Sequence, residues 1–248
     1  GMKINELTKN RMAILDFELL ELEAGGKKTW ISDEFEAVFV IIEGGCSLDA
    51  SGIGTVEMKR KNVFDSPPSA VYIPPKCPVS ITASLPTMVA VCKARADEDN
   101  VPVFVPAADV KEEWRGKEGY KRKVSNILNI ETKTQRIAVG ETINLPGNWS
   151  SFPPHKHDEY VPGKEVPLEE IYFFRIRPEK GFGIQRIYSA DRKTDQCYAV
   201  KDKDCVFIPS GYHPVANPPG HELYYLWMLA GNERVYIWNT DPDFKWLE

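Results

Sequence analysis

Histidine is scarce in this chain, four among 248 residues, so chemistry built on imidazole must be concentrated in few places. Cysteine is little commoner. Cys46, Cys77, Cys92, Cys197 and Cys205 are odd in number, widely spaced and never arranged Cys-x-x-Cys. Neither a disulfide framework nor a zinc ribbon is indicated, and reduced thiols in the cytoplasm are expected. Positive charge is also in short supply: 31 Lys and Arg against 36 Asp and Glu leave a net charge of −5. A nucleic-acid or anionic-membrane binder needs clustered positive charge, and no helix-turn-helix pattern is visible. No apolar run approaches the ~20 residues that span a bilayer, and no signal-peptide core follows the start. Gly1-Met2 reads as a tag remnant ahead of an initiator methionine. There is no Gly-x-Gly-x-x-Gly, so no nucleotide cofactor is expected.

Helix signals are few as well, the best being Ala108 to Trp114, one or two turns at most. Strand signals are plentiful: Ala37–Ile42, Val71–Ile73, Val79–Ala83, Met88–Lys93, Ile137–Val139, Ile171–Ile176, Gly183–Tyr188, Gln196–Val200, Cys205–Ile208, Tyr224–Leu229 and Arg234–Trp238. Each is short, β-branched or aromatic, and bounded by Gly, Pro, Asp or Asn. Many such strands closely spaced predict an all-β sandwich or barrel. Exposed sheet edges and six tryptophans are compatible with a homodimer.

The halves resemble each other. Val71-Tyr72-Ile73-Pro74-Pro75 through Val79 aligns with Val206-Phe207-Ile208-Pro209-Ser210 through Val215, each following an acidic residue (Asp65; Asp202 or Asp204). A period of about 135 residues is too long for a solenoid and suggests two copies of one β domain. The charged stretch from Asp97 to Val124, which lacks strand signals, reads as the connection.

The chemistry is concentrated at Pro153-Pro154-His155-Lys156-His157-Asp158. In extended chain His155 and His157 point to one side and Lys156 to the other. Two imidazoles on one strand face supply a bidentate grip for a divalent metal. Glu169-Glu170, opening a later strand, offers a carboxylate. Glu170 is the choice because it shares a face with Tyr172 and Phe174; Glu169 is the alternative. His213, after Pro209-Ser210-Gly211-Tyr212, completes a three-imidazole, one-carboxylate set suited to Zn, Mn, Fe, Co or Ni. His221, in a polar Pro-Pro-Gly loop, is not expected to be a ligand.

The His-x-His, the later glutamate and the Pro-x-Gly turn before a third histidine resemble the motifs of the cupin superfamily. Twelve residues separate His157 from Glu170, longer than the usual cupin interval. Over a longer stretch, Gly147-Asn148-Trp149-Ser150-Ser151-Phe152-Pro153-Pro154-His155-Lys156-His157-Asp158 is similar to the 5-deoxy-glucuronate isomerases of myo-inositol catabolism. Leu168 through Arg175, Gly181 through Tyr188 and Gly211 through Ala216 continue that likeness; the first half matches more loosely.

This resemblance implies two tandem cupin (double-stranded β-helix, jelly-roll) barrels: 2–110 without a metal site, and 111–248 with the metal and active site. It implies conversion of 5-deoxy-glucuronate, an aldehyde acid, to a 5-keto sugar acid by an aldose–ketose type isomerisation. The metal held by His155, His157, Glu170 and His213 would be the Lewis acid. Glu170 and Tyr172 are the candidate catalytic groups. Arg186 is the candidate partner of the sugar acid's carboxylate, with Gln185 in its place if the strand faces the other way. Competing readings are the related 5-keto-4-deoxyuronate isomerase, a metal cupin oxygenase, and a non-catalytic sugar-binding cupin.

Overall fold

The computed structural model describes residues 12–128 and 132–248. Strands dominate; the helical pieces among the described residues are short 3-10 turns at Ala107–Asp109 and Pro242–Leu247. None of its helices is long and apolar enough to cross a membrane. The chain divides into two compact units. One comprises Ile14–Lys111 with Asn126–Val139, the other Glu112–Ser125 with Gly140–Glu248 and Ala13.

The spine of the first unit is the strand Phe35–Ala50. Its first half pairs antiparallel with Ala70–Ile73 and Thr87–Arg95. Its second half pairs with Gly54–Arg60 and Val79–Ala83. A register shift between Ile41 and Glu43 bends the strand so that it serves two sheets. Ala37, Phe39 and Ile41 then face the same interior as Cys46 and Leu48, closed by Val71, Ile73, Ile81, Val89 and Val91. On the opposite face the fully buried Glu36 accepts from Tyr72 Oη (2.8 Å) and from the backbone N–H groups of Gln135, Arg136 and Ile137 (2.9, 2.7 and 2.8 Å). These charge-assisted bonds fasten the segment before Ala138 to the first unit, although it lies in the second half of the sequence.

The second unit sets a six-stranded sheet, ordered Cys205–Ile208, Leu168–Arg177, Glu222–Gly231, Ala138–Asn144, Arg122–Leu128, Lys111–Arg115, with a four-stranded one. The latter runs Trp149–Ser150, Val215–Ala216, Gly183–Tyr188, Asp195–Val200. Strand alternation turns Tyr172, Phe174, Ile176, Leu223 and Tyr225 inward onto Ile187, Val200 and Val215. At one end of this barrel polar side chains replace apolar ones, and there the site lies.

Most expected strands are present, but three expectations need correction. Ala108–Trp114 is no helix: one 3-10 turn gives way to the exposed edge strand Lys111–Arg115, because sheet pairing overrides a short helical pattern. The presumed connection Asp97–Val124 therefore holds strands, including Val103–Val105. Arg234–Trp238 joins no ladder. It is pinned by Val166 N–H to Ile237 O (3.1 Å), and its Trp238 packs against His155, ring centroids 5.7 Å apart.

Candidate metal centre and active site

The His155–Lys156 strand pairs with Asn239–Thr240, which fixes the extended geometry of the motif. His155 and His157 project together, and Lys156 turns to the other side, as alternation requires. There its buried ammonium meets Asp158, Glu165 (2.8 Å) and Glu159 (3.2 Å). Glu165, with no exposed surface, also accepts from the N–H groups of Asp158 and Glu159 (2.8 and 2.9 Å). The long interval between His157 and Glu170 is thus a closed turn around an ion pair. Its three carboxylates could hold a metal by proximity alone, but the Lys156 ammonium already occupies their centre.

Glu170 stands opposite Ile208 and Leu229, on the inward face with Tyr172. Its Oε2 lies 3.1 Å from His157 Nε2 and 3.0 Å from His213 Nε2. His157, Glu170 and His213 each offer an atom within 4.8 Å of the others. The His155 ring packs edge-on to His213, centroids 5.0 Å apart, just outside that tight set. Glu169 faces the other way and accepts from Ala13 N–H (2.5 Å). His221 lies elsewhere, its Nδ1 on Pro219 O and its ring against Gly181.

The imidazoles are oriented by the backbone. Nδ1–H of His155 donates to Pro153 O (3.1 Å), that of His157 to Leu168 O (2.9 Å), and that of His213 to Gly211 O (2.8 Å). Because a carbonyl only accepts, Nδ1 carries a proton, and in the neutral ring Nε2 is left to present a lone pair; His157 Nε2 also lies within hydrogen-bonding distance of Glu170 (3.1 Å). His213 Nε2 is buried without a hydrogen bond despite its closeness to Glu170. An imidazole lone pair facing a carboxylate, as at His213, is repelled unless a cation or proton lies between them. Two imidazole nitrogens and a carboxylate brought together, with the His155 ring beside His213, suit a first-row divalent ion, so the residues fit such a metal.

Burial, then the neighbouring His213 and His157 rings, lower His155 to about 3. Burial opposes ionisation of Glu170, but His213 foremost, with His157, holds it well below the usual carboxylate range. Burial opposes protonation of His157, which the hydrogen bond and charge of Glu170 nevertheless favour.

Tyr172 is placed beside this group. Its hydroxyl is 2.7 Å from Ser151 Oγ and its ring stacks on Tyr225, centroids 4.4 Å apart. Ser151 adopts a left-handed φ of 48°, which turns its side chain toward the phenol. Burial, then the charge of Glu170, raises Tyr172 well above its ordinary value, so it stays protonated. Gln185 is buried, and Arg186 is not brought to the centre. Alternation sends Arg186 outward, where it grips Asp195 with two 2.7 Å bonds and lies 4.3 Å from the Tyr188 ring. Gln185 Nε2 donates to His213 O (2.7 Å), and its buried Oε1 has no partner. Ser150, not anticipated from sequence, is in register with Val215, as is Gln185, and its buried Oγ is likewise unpartnered. Its signal was the alternation of the Trp149–Ser150 pair, too short to read without its partner strand.

The KduI/IolB family model matches residues 2–247. A 5-deoxy-glucuronate isomerase of Geobacillus thermodenitrificans is 35% identical over 237 residues, spanning 93% of this chain and 85% of the relative. An IolB-like protein from Salmonella typhimurium LT2 superposes with a TM-score of 0.90 at 34% identity, covering 94% of this chain and 90% of that one. Oxalate decarboxylase from Lactobacillus farciminis gives a TM-score of 0.65 at 12% identity, covering 93% and 80%, a likeness of fold alone. The architecture is two tandem cupin barrels.

Proposed function

The chain belongs to the KduI/IolB family and is an isomerase, and on that premise we propose that it converts 5-deoxy-D-glucuronate to 5-dehydro-2-deoxy-D-gluconate with one divalent transition metal. The observation that carries this reading is the pair of backbone-oriented imidazoles of His157 and His213 meeting Glu170, with the His155 ring packed on His213, beside a buried phenol. The name shared by the curated relatives supplies the substrate. The reaction moves hydrogen between adjacent carbons without net redox change, so no nucleotide cofactor is needed. A metal held by His155, His157, Glu170 and His213 would supply Lewis acidity toward a carbonyl oxygen.

The remaining work falls to side chains. Deprotonation next to a carbonyl leaves negative charge on oxygen, which a neutral, well-oriented donor stabilises. Tyr172 is such a donor, and Ser151 Oγ holds its hydroxyl in place. Glu170 would serve as a ligand; burial foremost, and then the Glu170 charge, keep that phenol protonated. Gln185 Oε1 and Ser150 Oγ lack protein partners and are suited to sugar hydroxyls. The free cysteines accord with a cytoplasmic enzyme.

Proton NMR on metal-loaded protein tests the assignment. The aldehyde-hydrate signal of 5-deoxy-glucuronate should disappear as the ketone forms, faster than any change in 5-keto-4-deoxyuronate. Preference for the latter, or inertness toward both, would overturn it.

A further inference from the structure

A sugar acid carries its carboxylate at the end remote from the carbons that exchange hydrogen, so its site needs a cation set apart from the metal ligands. Arg186, the residue the sequence suggests, is committed to Asp195. Other arginines of this unit are similarly engaged: Arg175 with Asp202 (2.9 Å) and Arg192 with Asp241 (2.9 Å). Lys156 is enclosed by carboxylates. Arg122 differs. It opens the strand Arg122–Leu128 and is half-buried, yet no carboxylate among the described residues pairs with it. Its protein bonds use Nη1 alone, to Phe152 O (3.0 Å) and Tyr120 O (3.2 Å).

The position is as telling as the missing partner. Three successive residues tie the site together: Ser151 Oγ meets Tyr172 Oη, Phe152 O accepts from Arg122, and Pro153 O accepts from His155 Nδ1. The guanidinium is therefore attached to the same short stretch of backbone as the phenol and a metal-binding imidazole. It also lies close enough to Tyr225 and Tyr172, which stack on each other, to interact with both electrostatically. With Nη1 anchored on carbonyls, the Nε–Nη2 edge keeps two parallel N–H donors, the geometry that matches a carboxylate. Burial without a counter-ion disfavours the charged guanidinium, a cost that an arriving anion would offset.

We infer that Arg122 binds the carboxylate of the substrate, using its Nε–Nη2 edge, and so selects sugar acids over neutral sugars. The inference rests on the isomerase reading for the identity of the substrate.

The test compares 5-deoxy-glucuronate with its uncharged uronamide in wild-type protein and in Arg122→Met and Arg122→Lys. Wild type should favour the acid by about 100-fold in kcat/KM. In Arg122→Met that ratio should fall toward one, through a raised KM for the acid. Arg122→Lys, which keeps the charge but loses the fork, should retain part of the preference, with a loss of roughly tenfold. Equilibrium binding of glucuronate, a carboxylate probe, separates this inference from the isomerase assignment. If wild type turns over neither compound, the assignment fails. Weaker glucuronate binding in both variants would still support the role of Arg122. An acid preference unchanged in either folded variant, or glucuronate affinity unchanged in both, would overturn it.

Discussion

His213 Nε2 and Glu170 Oε2 lie 3.0 Å apart in the barrel interior, and no hydrogen bond joins them. The His213 proton is on Nδ1, donated to Gly211 O at 2.8 Å, so a lone pair faces a carboxylate. His157 differs: its Nδ1 is on Leu168 O, and its Nε2 is within hydrogen-bonding distance of the same oxygen, at 3.1 Å. The unbonded His213 contact is unfavourable in a protein interior unless a cation or proton completes it.

Tyr172→Phe should retain the fold and the metal while losing a proton donor. Turnover is expected to drop by about 10²–10⁴-fold. Loss of the Ser151 bond should cost about 1 kcal/mol of stability. Steady-state kinetics beside thermal melting checks both; a variant with wild-type kcat would remove Tyr172 from the chemistry.

Gly211→Ala should impair both stability and metal binding. Gly211 has φ of 93°, and a Cβ there would sit 2.8 Å from Tyr188 O. The left-handed conformation alone costs an L-residue about 1–2 kcal/mol. Any shift also displaces the carbonyl that orients His213. Denaturant unfolding and metal titration read the two effects separately.

Lys156 and Glu165 give a pH signature. Burial opposes ionisation of Glu165, but the Lys156 bond and backbone N–H groups lower its pKa. Its contribution is therefore present above the unfolded value of about 4.3 and lost as pH falls through the lowered folded value. Burial likewise opposes the charge of Lys156, yet Asp158 and Glu165 raise its pKa. That contribution is present below the unfolded value of about 10.4 and lost above the raised folded value. Melting temperature should thus plateau between these limits. Glu165→Gln, leaving a buried ammonium short of a partner, should lower stability by about 3–5 kcal/mol and narrow the plateau.

Arg186→Ala should leave kcat/KM within about twofold of wild type and change stability by less than ~1 kcal/mol, because its pair with Asp195 is partly exposed. A large rise in KM would restore the role suggested by sequence.

The shared facing of the candidate site residues was legible because alternation in extended chain is a strong rule: His155 with His157, and Glu170 with Tyr172, follow from spacing alone. The same rule left the facing of Gly183–Tyr188 undecided, since Gln185 and Arg186 are both polar and only the packed barrel shows which is buried. Lys111–Arg115 was unreadable because an exposed edge strand needs no apolar face. The attachment of residues near 135 to the first unit depends on Glu36, about a hundred positions earlier, a pairing no local pattern displays.

We expect isomerisation to require a metal bound by His155, His157, Glu170 and His213. The most direct measurement follows 5-deoxy-glucuronate turnover in metal-depleted protein, with metal content quantified, before and after adding one equivalent of a divalent ion. Activity should vanish on depletion, return on addition, and fail to return in His213→Ala. Undiminished turnover by metal-free wild type, or by metal-free His213→Ala, would contradict the claim.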